Sequence, residues 1–375
     1  MKPKVLFTAS TYSHIRSFHL PYLRAYQERG WEVHVACGGR EGDIPHADAV
    51  FHLPFEKSMT APANFKAASL LRKQIVREGY ALVTTHTSLA AFFTRLAVLG
   101  MKNRPRVVNM AHGYLFDGDT PALKRQVLLS AERLVAPVTD LLLTMNQTDL
   151  KIARTHKLGR RVENVPGIGV DFSRLEVGED RRGLMRGEFG IPQDAFVLFY
   201  AAEFSARKSQ SVLIDAMELL PKNVYLVLAG DGALHGQCWQ SVRDRGLENR
   251  VLFPGHVRDV ENWYAMADAA VTSSRSEGLP FNVMEAMYCG LPVVASAVKG
   301  HTDLIEDGVT GLLYPYGDHA ACARAVQALL TDPARCQALG AQGKQRVEPY
   351  ALDAVLPVVM EQYDSVTEVP LSPLR

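Results

Sequence analysis

The first forty residues contain an apolar segment, a polar loop, a helical segment and a second apolar segment. The apolar segments are Val5–Phe7 and Trp31–Cys37, the loop is Ser10–Ser17, and the helical pattern runs over Phe18–Arg29 until Gly30 ends it. Short apolar segments joined through a helix are typical of parallel strands with a crossover connection. The order therefore predicts a βαβ unit, and hence a doubly wound α/β sheet.

The same alternation of strand and helix returns in the second half of the chain. Apolar strand patterns occur at Ala195–Ala202, Val224–Ala229 and Asp268–Val271, with loops and helical segments between them. A length of 375 residues is enough for about two domains. We therefore expect two α/β domains, each with its own core.

Composition excludes several classes of protein. The formal net charge is +1, so no strong global field attracts nucleic acid or anionic lipid. The five cysteines are scattered and odd in number, which argues against a disulfide framework or a zinc site and favours a reducing, cytoplasmic environment. The amino terminus has no signal-peptide pattern, and no segment approaches the roughly 18 apolar residues of a spanning helix. Any membrane contact would therefore be peripheral.

Two glutamates flank a turn that precedes a helix. Glu277 lies before the turn, and Glu285 lies about two turns inside the helical segment Phe281–Cys289, about 10 Å along its axis. A helix start binds a diphosphate through its backbone N–H groups and its dipole. One carboxylate beside it would bind sugar hydroxyls, and the second would bind a ribose. For an isolated pair with this spacing, a helix-terminus carboxylate and a solvated helix face explain the pattern better.

The residues around this pair of glutamates favour a binding role over a purely structural one. The segments 274–280 (SRSEGLP), 284–287 (MEAM) and 289–296 (CGLPVVAS) closely resemble the donor-site signature of glycosyltransferase family 4. The resemblance implies the GT-B fold, with two Rossmann-like domains facing across a cleft, and sugar transfer with retention of configuration. Over the whole chain, the similarity is greatest to bacterial capsule and exopolysaccharide glycosyltransferases.

The resemblance also predicts the domain boundaries. Residues 1–171 would form the acceptor-side domain, and residues 172–349 would bind the nucleotide sugar. Pro166, Gly167 and Gly169 match the linker between the domains. The last helix, within residues 350–375, would cross back to the first domain.

In the second domain, the family's motifs place the donor on particular residues. Glu277 would hold the sugar hydroxyls, Glu285 the ribose and Lys208 the diphosphate. Glu203 stands where many members have an arginine, which leaves Arg207 as the replacement cation. The segment Val251–Val260 resembles the family's base-reading segment, in which the backbone after the glycine contacts the base. The predicted further donor contacts are Gly230, Gly232, Val257, Arg258, Gly278, Leu279, Phe281 and Asn282.

In the first domain, Ala111-His112-Gly113 matches the family's cleft histidine, so the resemblance gives His112 a contact with the transferred sugar, at its 6-hydroxyl. In GT-B enzymes the first loop borders the cleft, so the resemblance places Ser13 and His14 on the acceptor side, which His19 could also line. His86 is predicted there because it follows a strand whose carboxyl end borders ligand sites. For His14 and His19, a surface position with no role is the expectation from the residue type alone.

We expect no metal cofactor. Asp117-Gly118-Asp119 has the spacing of a metal-binding Asp-x-Asp motif, but turn chemistry before a helix explains it better. The partners that the resemblance implies are a UDP-sugar, with UDP-N-acetylhexosamine as one candidate, and a saccharide or undecaprenyl-diphosphate-linked acceptor at the inner face of the cytoplasmic membrane. Two alternatives stay open, namely a UDP-sugar 2-epimerase and a non-catalytic nucleotide-sugar-binding subunit of a transferase complex.

Overall fold

A computed structural model describes residues 2–39, 42–118, 120–178 and 180–367. The described residues divide into two compact units. One contains the chain up to Gly169 together with the residues from Asp353 onward, and the other is Val170–Leu352. The boundaries predicted from the sequence were 171/172 and 349/350.

The first unit is a seven-stranded parallel sheet with helices between its strands, and its strand order is β3-β2-β1-β4-β5-β6-β7. Its elements are β1 (Lys4–Ala9), α1 (Tyr12–Phe18), α2 (Leu20–Glu28), β2 (Glu32–Cys37), β3 (Ala49–His52), α3 (Pro62–Glu78), β4 (Leu82–Thr85), α4 (Ser88–Val98), β5 (Arg106–Ala111), α5 (Ala122–Val135), β6 (Leu141–Thr144), α6 (Gln147–His156) and β7 (Arg161–Asn164).

The second unit is a six-stranded parallel sheet with strand order β10-β9-β8-β11-β12-β13. Its elements are α7 (Arg181–Glu188), β8 (Phe196–Ala201), α8 (Gln210–Met217), β9 (Val224–Ala229), α9 (His235–Asp244), β10 (Val251–Gly255), α10 (Val260–Met266), β11 (Ala269–Thr272), α11 (Phe281–Tyr288), β12 (Val293–Ser296), α12 (His301–Leu304), β13 (Leu312–Tyr314), α13 (His319–Thr331) and α14 (Pro333–Val347). The predicted α/β fold class, with two Rossmann-like domains, is confirmed.

The final helix, α15 (Leu352–Asp364), packs mainly on the first unit, as predicted. Arg29 Nη1 donates to both carboxylate oxygens of Asp364, at 3.0 and 2.9 Å. The ring of Tyr363 lies 6.3 Å from that of Tyr22, centroid to centroid. These contacts attach the end of the chain to α2.

The predicted loop Ser10–Ser17 is wrong. The helix α1 begins at Tyr12, because Thr11 caps it by accepting a hydrogen bond from the backbone N–H of His14. A break at His19 separates α1 from α2, so the single helix expected from Phe18 is also wrong at its start. Short polar helices of this kind have too little apolar periodicity to be seen in a sequence.

The same aspartate contact joins neighbouring strands at three places. In each case an aspartate directly precedes a strand and forms two hydrogen bonds with one residue of the adjacent strand. The aspartates are Asp48, Asp140 and Asp268. The aspartate N–H donates to that residue's carbonyl, and the carboxylate accepts from its N–H. The partners are Val33, Val107 and Val197, respectively.

Asp268 also balances the charge of a fully buried arginine. Arg186 is 0% exposed, and its Nη2 donates to Asp268 Oδ2 at 2.7 Å. The other guanidinium N–H groups donate to backbone carbonyls, among them that of Met266. Because a buried charge without a counter-ion is costly, Asp268 is needed for Arg186 to stay in the core.

We predict that Asp268→Ala lowers the free energy of unfolding of the second unit by about 3 kcal/mol, since it leaves Arg186 buried and unpaired. Asp215→Ala is the matched control, because its partner Arg245 is partly exposed and the loss should stay below about 1 kcal/mol. Urea unfolding of both variants measures the difference. Equal losses would contradict the role given to Asp268.

Candidate functional site

The candidate donor site lies at the switch point of the second sheet. After β8 the chain proceeds to β9 and β10 on one side, and β11 then pairs with β8 on the other side. The loops that follow β8 and β11 therefore diverge at one edge of the sheet, where open α/β sheets bind ligands. These two loops carry Arg207 and Lys208 on one side and Glu277 on the other.

Glu277 is held between two cations. Lys208 Nζ donates to its Oε1 at 2.6 Å, and Arg207 Nη1 donates to its Oε2 at 2.8 Å. Burial by itself would raise the pKa of Glu277, but the charges of Lys208 and Arg207 outweigh burial and lower the pKa to about 2. The carboxylate is therefore ionised at neutral pH, and the three side chains together carry a charge of +1.

Backbone contacts between the two loops fix this arrangement. The Ser273 hydroxyl lies 2.9 Å from the backbone carbonyls of both Lys208 and Ser209, and the Arg275 N–H donates to the Arg207 carbonyl at 2.7 Å. The loop after β8 is thus fastened to the loop after β11, and both cations are turned toward Glu277.

Gly300 supports Glu277 from a third loop, which sequence analysis did not assign. Its φ is +83°, and an added Cβ would lie 2.8 Å from the Cβ of Glu277. The Glu277 N–H donates to the Lys299 carbonyl at 3.3 Å. A glycine is therefore required at this position. In the sequence, a role for Gly300 was indicated only by the resemblance of the surrounding segment to glycosyltransferase family 4.

The helix α11 points its amino terminus at the same edge of the sheet. Pro280 is the N-cap residue, and Asn282 Nδ2 donates to the carbonyl of Ala201, the last residue of β8, at 3.2 Å. The positive end of the helix dipole therefore lies beside the end of β8. Gly278, Leu279, Phe281 and Asn282, the predicted backbone ligands of the diphosphate, are all in this turn.

Glu285 is buried on α11 and has its own partners. The Tyr264 hydroxyl donates to its Oε2 at 3.1 Å, and Arg174 Nη2 donates to its Oε1. The sequence predicted neither Tyr264 nor Arg174 as a partner of Glu285. Arg174 is 111 residues from Glu285 along the chain, so no local pattern connects them. The predicted contact of Glu285 with a ribose stays a prediction, and it would require Arg174, which is half exposed, to move or to share the ligand.

The glycines after β9 have a structural reason. A Cβ on Gly230 would lie 2.1 Å from the Ala202 carbonyl oxygen, and one on Gly232 would lie 2.4 Å from that of Phe204. Only glycine lets this loop pack so closely on the loop after β8. Val257, half buried, and Arg258, exposed, follow β10 at the same edge. Their predicted contacts with the base, and those of the glycines with the nucleotide, stay predictions.

Glu203, at the position where many family members have arginine, is exposed, and its backbone carbonyl accepts from Gln210 Nε2 at 2.9 Å. The second cation on Glu277 is Arg207. Because Arg207 is the neighbour of Lys208 in the sequence, it can reach the site only if the loop turns its side chain inward. The structure has this inward turn, since Arg207 Nη1 donates to Glu277 Oε2 at 2.8 Å.

The first unit has a separate cluster at its own switch point, between β1 and β4. His14 lies on α1, His19 lies between α1 and α2, His86 follows β4 and His112 follows β5. Nε2 of His14 and Nε2 of His19 are 3.3 Å apart, and Nδ1 of His86 is 3.2 Å from Nε2 of His112. We call these four residues the histidine cluster.

The expectation of surface positions for His14 and His19 is wrong. His19 is fully buried and His14 is half buried. The ring of His19 lies beside those of Phe7 on β1 and His86 after β4. Ser13, by contrast, is exposed, and its hydroxyl lies 3.1 Å from that of Thr11. Ser13 therefore does not join the cluster in this structure.

Burial keeps the histidine cluster neutral. It lowers the pKa of His14 to about 4. Burial, followed by the charges of neighbouring imidazoles, lowers the pKa of His19 and of His112 well below the usual range. Burial and His14 have the same effect on the pKa of His86. Neutral imidazoles have one donor and one acceptor nitrogen each, so they can bind hydroxyl groups or a metal ion.

The predicted turn at Asp117 is present. The Asp117 N–H donates to Thr120 Oγ1 at 3.0 Å, Thr120 Oγ1 donates to Asp117 Oδ1 at 3.0 Å, and α5 begins at Ala122. The second aspartate of the Asp-x-Asp pattern, Asp119, lies outside the described residues.

Two protein families match the chain. The family described as Glycosyltransferase Family 4 matches residues 22–174, and the family described as Glycosyl transferases group 1 matches residues 182–346. The two matches fall on the two units of the structure.

Similar proteins of known name are glycosyltransferases. EpsD of Bacillus subtilis (strain 168), which bears a glycosyltransferase name, is 33% identical over 92% of each chain. A D-inositol 3-phosphate glycosyltransferase of Xylanimonas cellulosilytica is 30% identical over 93% of this chain and 91% of its own. An Escherichia coli protein named UDP-Gal:alpha-D-GlcNAc-diphosphoundecaprenol alpha-1,3-galactosyltransferase is 25% identical over 68% of this chain and 67% of its own.

Solved structures share the fold. HepE of Anabaena, crystallised with UDP-glucose, aligns with a TM-score of 0.78 at 22% identity, over 96% of this chain and 99% of its own. WaaG, a glycosyltransferase of lipopolysaccharide biosynthesis, aligns with a TM-score of 0.77 at 18% identity, over 97% and 100%. At these identities the likeness concerns the fold, which is the GT-B architecture that the sequence predicted.

We predict that the ion pairs of Glu277 make stability depend on pH. Its folded-state pKa of about 2 lies below the ordinary value of 4.5, so the stabilisation is complete above pH 4.5 and is lost as pH falls toward 2. Between pH 7 and pH 3 the wild type should lose about 2 kcal/mol of unfolding free energy more than Glu277→Gln. Urea unfolding at both pH values gives the comparison, and parallel losses would contradict the ion pairs.

Proposed function

Because this chain belongs to glycosyltransferase family 4 and is therefore a glycosyltransferase, we propose that it transfers a sugar from a UDP-sugar with retention of configuration. The acceptor is a saccharide or an undecaprenyl-diphosphate-linked saccharide, in the synthesis of a bacterial surface polysaccharide. The observation that carries the proposal is the group of Glu277, Lys208 and Arg207 at the switch point, beside the amino terminus of α11.

The electrostatics of this group suit a nucleotide diphosphate. Two cations and one carboxylate leave a charge of +1 next to the positive end of a helix dipole. When a donor binds, Lys208 and Arg207 turn their remaining N–H groups to the diphosphate, while Glu277 accepts hydrogen bonds from the sugar hydroxyls. The same positive charge stabilises the leaving diphosphate, so we propose that transfer needs no divalent cation there.

Retention rests on the family resemblance, and the state of Glu277 agrees with it. A carboxylate with a pKa of about 2 is a weak base and a weak nucleophile, so Glu277 is poorly suited to activate the acceptor. In the proposed reaction, the acceptor oxygen attacks the anomeric carbon on the face that the diphosphate leaves. The carbon–oxygen bond to phosphate breaks, and the acceptor proton passes to the leaving phosphate oxygen.

The choice of uridine and of acceptor class is supported by relatives. One similar structure contains UDP-glucose, and one relative is named for transfer from UDP-Gal to a diphosphoundecaprenol-linked sugar. UDP-N-acetylhexosamine is the donor that we would test beside these sugars. The contact of His112 with the transferred sugar, the base contacts of Val257 and Arg258, and acceptor-side roles for Ser13, His14 and His86 stay predictions.

The outer face of α5 supports contact with a membrane. Leu123, Val127 and Leu134 are 80%, 61% and 52% exposed, and they lie along one side of the helix at spacings of four and seven. Lys124 and Arg125 lie beside them and are exposed too. Apolar side chains interleaved with basic ones are suited to the surface of an anionic bilayer. Among the described residues, no helix is long and apolar enough to cross a membrane.

We predict that the wild type releases UDP slowly from a UDP-sugar without acceptor, and that Glu277→Gln lowers this release about a hundredfold, because the sugar loses its anchoring carboxylate. UDP release is measured over a panel of UDP-, GDP- and ADP-sugars, with and without a chelator. Glu248→Gln, an exposed site on the same unit, is the matched control and should leave the release unchanged.

Three outcomes would contradict the proposal. Release of GDP or ADP in place of UDP would overturn the donor class. An epimerised UDP-sugar formed without acceptor would favour the 2-epimerase. UDP binding without turnover, on every donor and with lipid-linked acceptors supplied, would favour a non-catalytic subunit. Nuclear magnetic resonance of the glycoside product tests retention, since an inverted anomer would exclude it.

We also predict that the protein floats with vesicles that contain phosphatidylglycerol. Leu123→Glu should lower the bound fraction about tenfold, because an exposed leucine that would insert into the bilayer surface is replaced by a charge of the lipid's own sign. Leu184→Glu is the matched control, since Leu184 is 63% exposed on the second unit. Added salt should weaken binding. Equal flotation of both variants and the wild type would show that α5 is not the contact surface.

A further inference from the structure

We propose that the histidine cluster of the first unit binds one transition-metal ion of the zinc class through His14, His19 and His112. One ring nitrogen of each residue lies within 4.8 Å of the other two. Three imidazoles with no carboxylate among them favour zinc, cobalt, nickel or copper over magnesium or calcium. The diphosphate contacts proposed above use Lys208, Arg207 and the amino terminus of α11, and none of these is a ligand of this ion.

The spacing of the nitrogens suits a tetrahedral ion. Two ligands at about 2.05 Å from zinc are about 3.3 Å apart in a tetrahedron. Nε2 of His14 and Nε2 of His19 are separated by 3.3 Å. The nitrogen of His112 lies no further than 4.8 Å from the other two ligand atoms, so it needs to approach by at most about 1.5 Å. A small rotation of a half-buried ring provides such a movement.

His19 is the best-ordered part of the site. Its ring is fully buried and lies 3.8 Å from the ring of His86, centroid to centroid. Its Nδ1 has no hydrogen-bond partner among the described residues. Burying a nitrogen without a hydrogen-bond partner costs free energy. The ring is therefore held in place although its hydrogen bonding is incomplete.

His86 packs against two of the three ligands, His112 and His19. Its Nδ1 lies 3.2 Å from Nε2 of His112, and its Nε2 lies 3.3 Å from the Thr84 hydroxyl. Metal-binding histidines are commonly oriented by such a second partner. His14 and His112 are half buried, so the fourth position of a tetrahedral ion is accessible to water or to a hydroxyl group.

A second group in the same unit provides a built-in comparison. Glu32, His34 and Glu78 also have ligand atoms within 4.8 Å of one another. Lys4 Nζ, however, lies 3.0 Å from Glu32 and 2.8 Å from Glu78, and the Tyr80 hydroxyl lies 2.8 Å from His34 Nδ1. An ammonium group already occupies the place of a cation there. This group should therefore not bind metal, and a variant in it is the matched control.

The test is titration of the chelator-treated, full-length protein with Co²⁺, followed by competition with Zn²⁺. We expect one Co²⁺ per chain, with the intense visible bands of tetrahedral cobalt and without thiolate charge-transfer absorption. His19→Ala should weaken binding at least about a hundredfold, since it removes a ligand. His34→Gln should bind as the wild type does. Zn²⁺ should also raise the melting temperature of the wild type, because it binds the folded state.

His14→Ala is the second variant, because His14 is half buried and its loss should be tolerated even if His19→Ala does not fold. The proposal is overturned if the wild type binds no Co²⁺, if both histidine variants that fold bind as tightly as the wild type, or if His34→Gln abolishes binding. These measurements need no sugar donor, so their outcome does not depend on whether the protein is an active transferase.

Discussion

Parallel pairing of β8 with β11 is the constraint on which the candidate donor site depends. Because all strands of the sheet run in one direction, every loop that follows a strand emerges at the same edge. The chain leaves β8 toward one side and returns to β11 on the other, which opens a gap between the two loops. Lys208, Arg207 and Glu277 meet in that gap, although 70 residues separate Arg207 from Glu277.

The same topology produces a different chemistry in the first unit. The switch point between β1 and β4 collects neutral imidazoles, whereas the switch point between β8 and β11 collects charges. Both sheets share the reciprocal aspartate contacts that join neighbouring strands. The difference between the two switch points therefore arises from the loops and not from the sheets. A common scaffold therefore presents two unlike sets of side chains, and each set is suited to a different ligand.

Partners neutralise the buried charges at two places in the second unit. Asp268 stabilises Arg186 in the core, and two cations stabilise Glu277 at the edge of the sheet. The first pair is closed off by backbone carbonyls and has a structural role. The second group leaves Arg207 half exposed, so its N–H groups remain accessible to an incoming anion.

The sequence by itself determined the order of most strands and helices, the two-domain α/β class and the family, because apolar periodicity and a long motif around Glu277 are local signals. It did not determine the inward turn of Arg207, the contact of Arg174 with Glu285 or the burial of His19. These features join segments that lie far apart in the chain. Only the strand order and the packing of loops at the sheet edge decide which side chains meet there, and no local pattern encodes either.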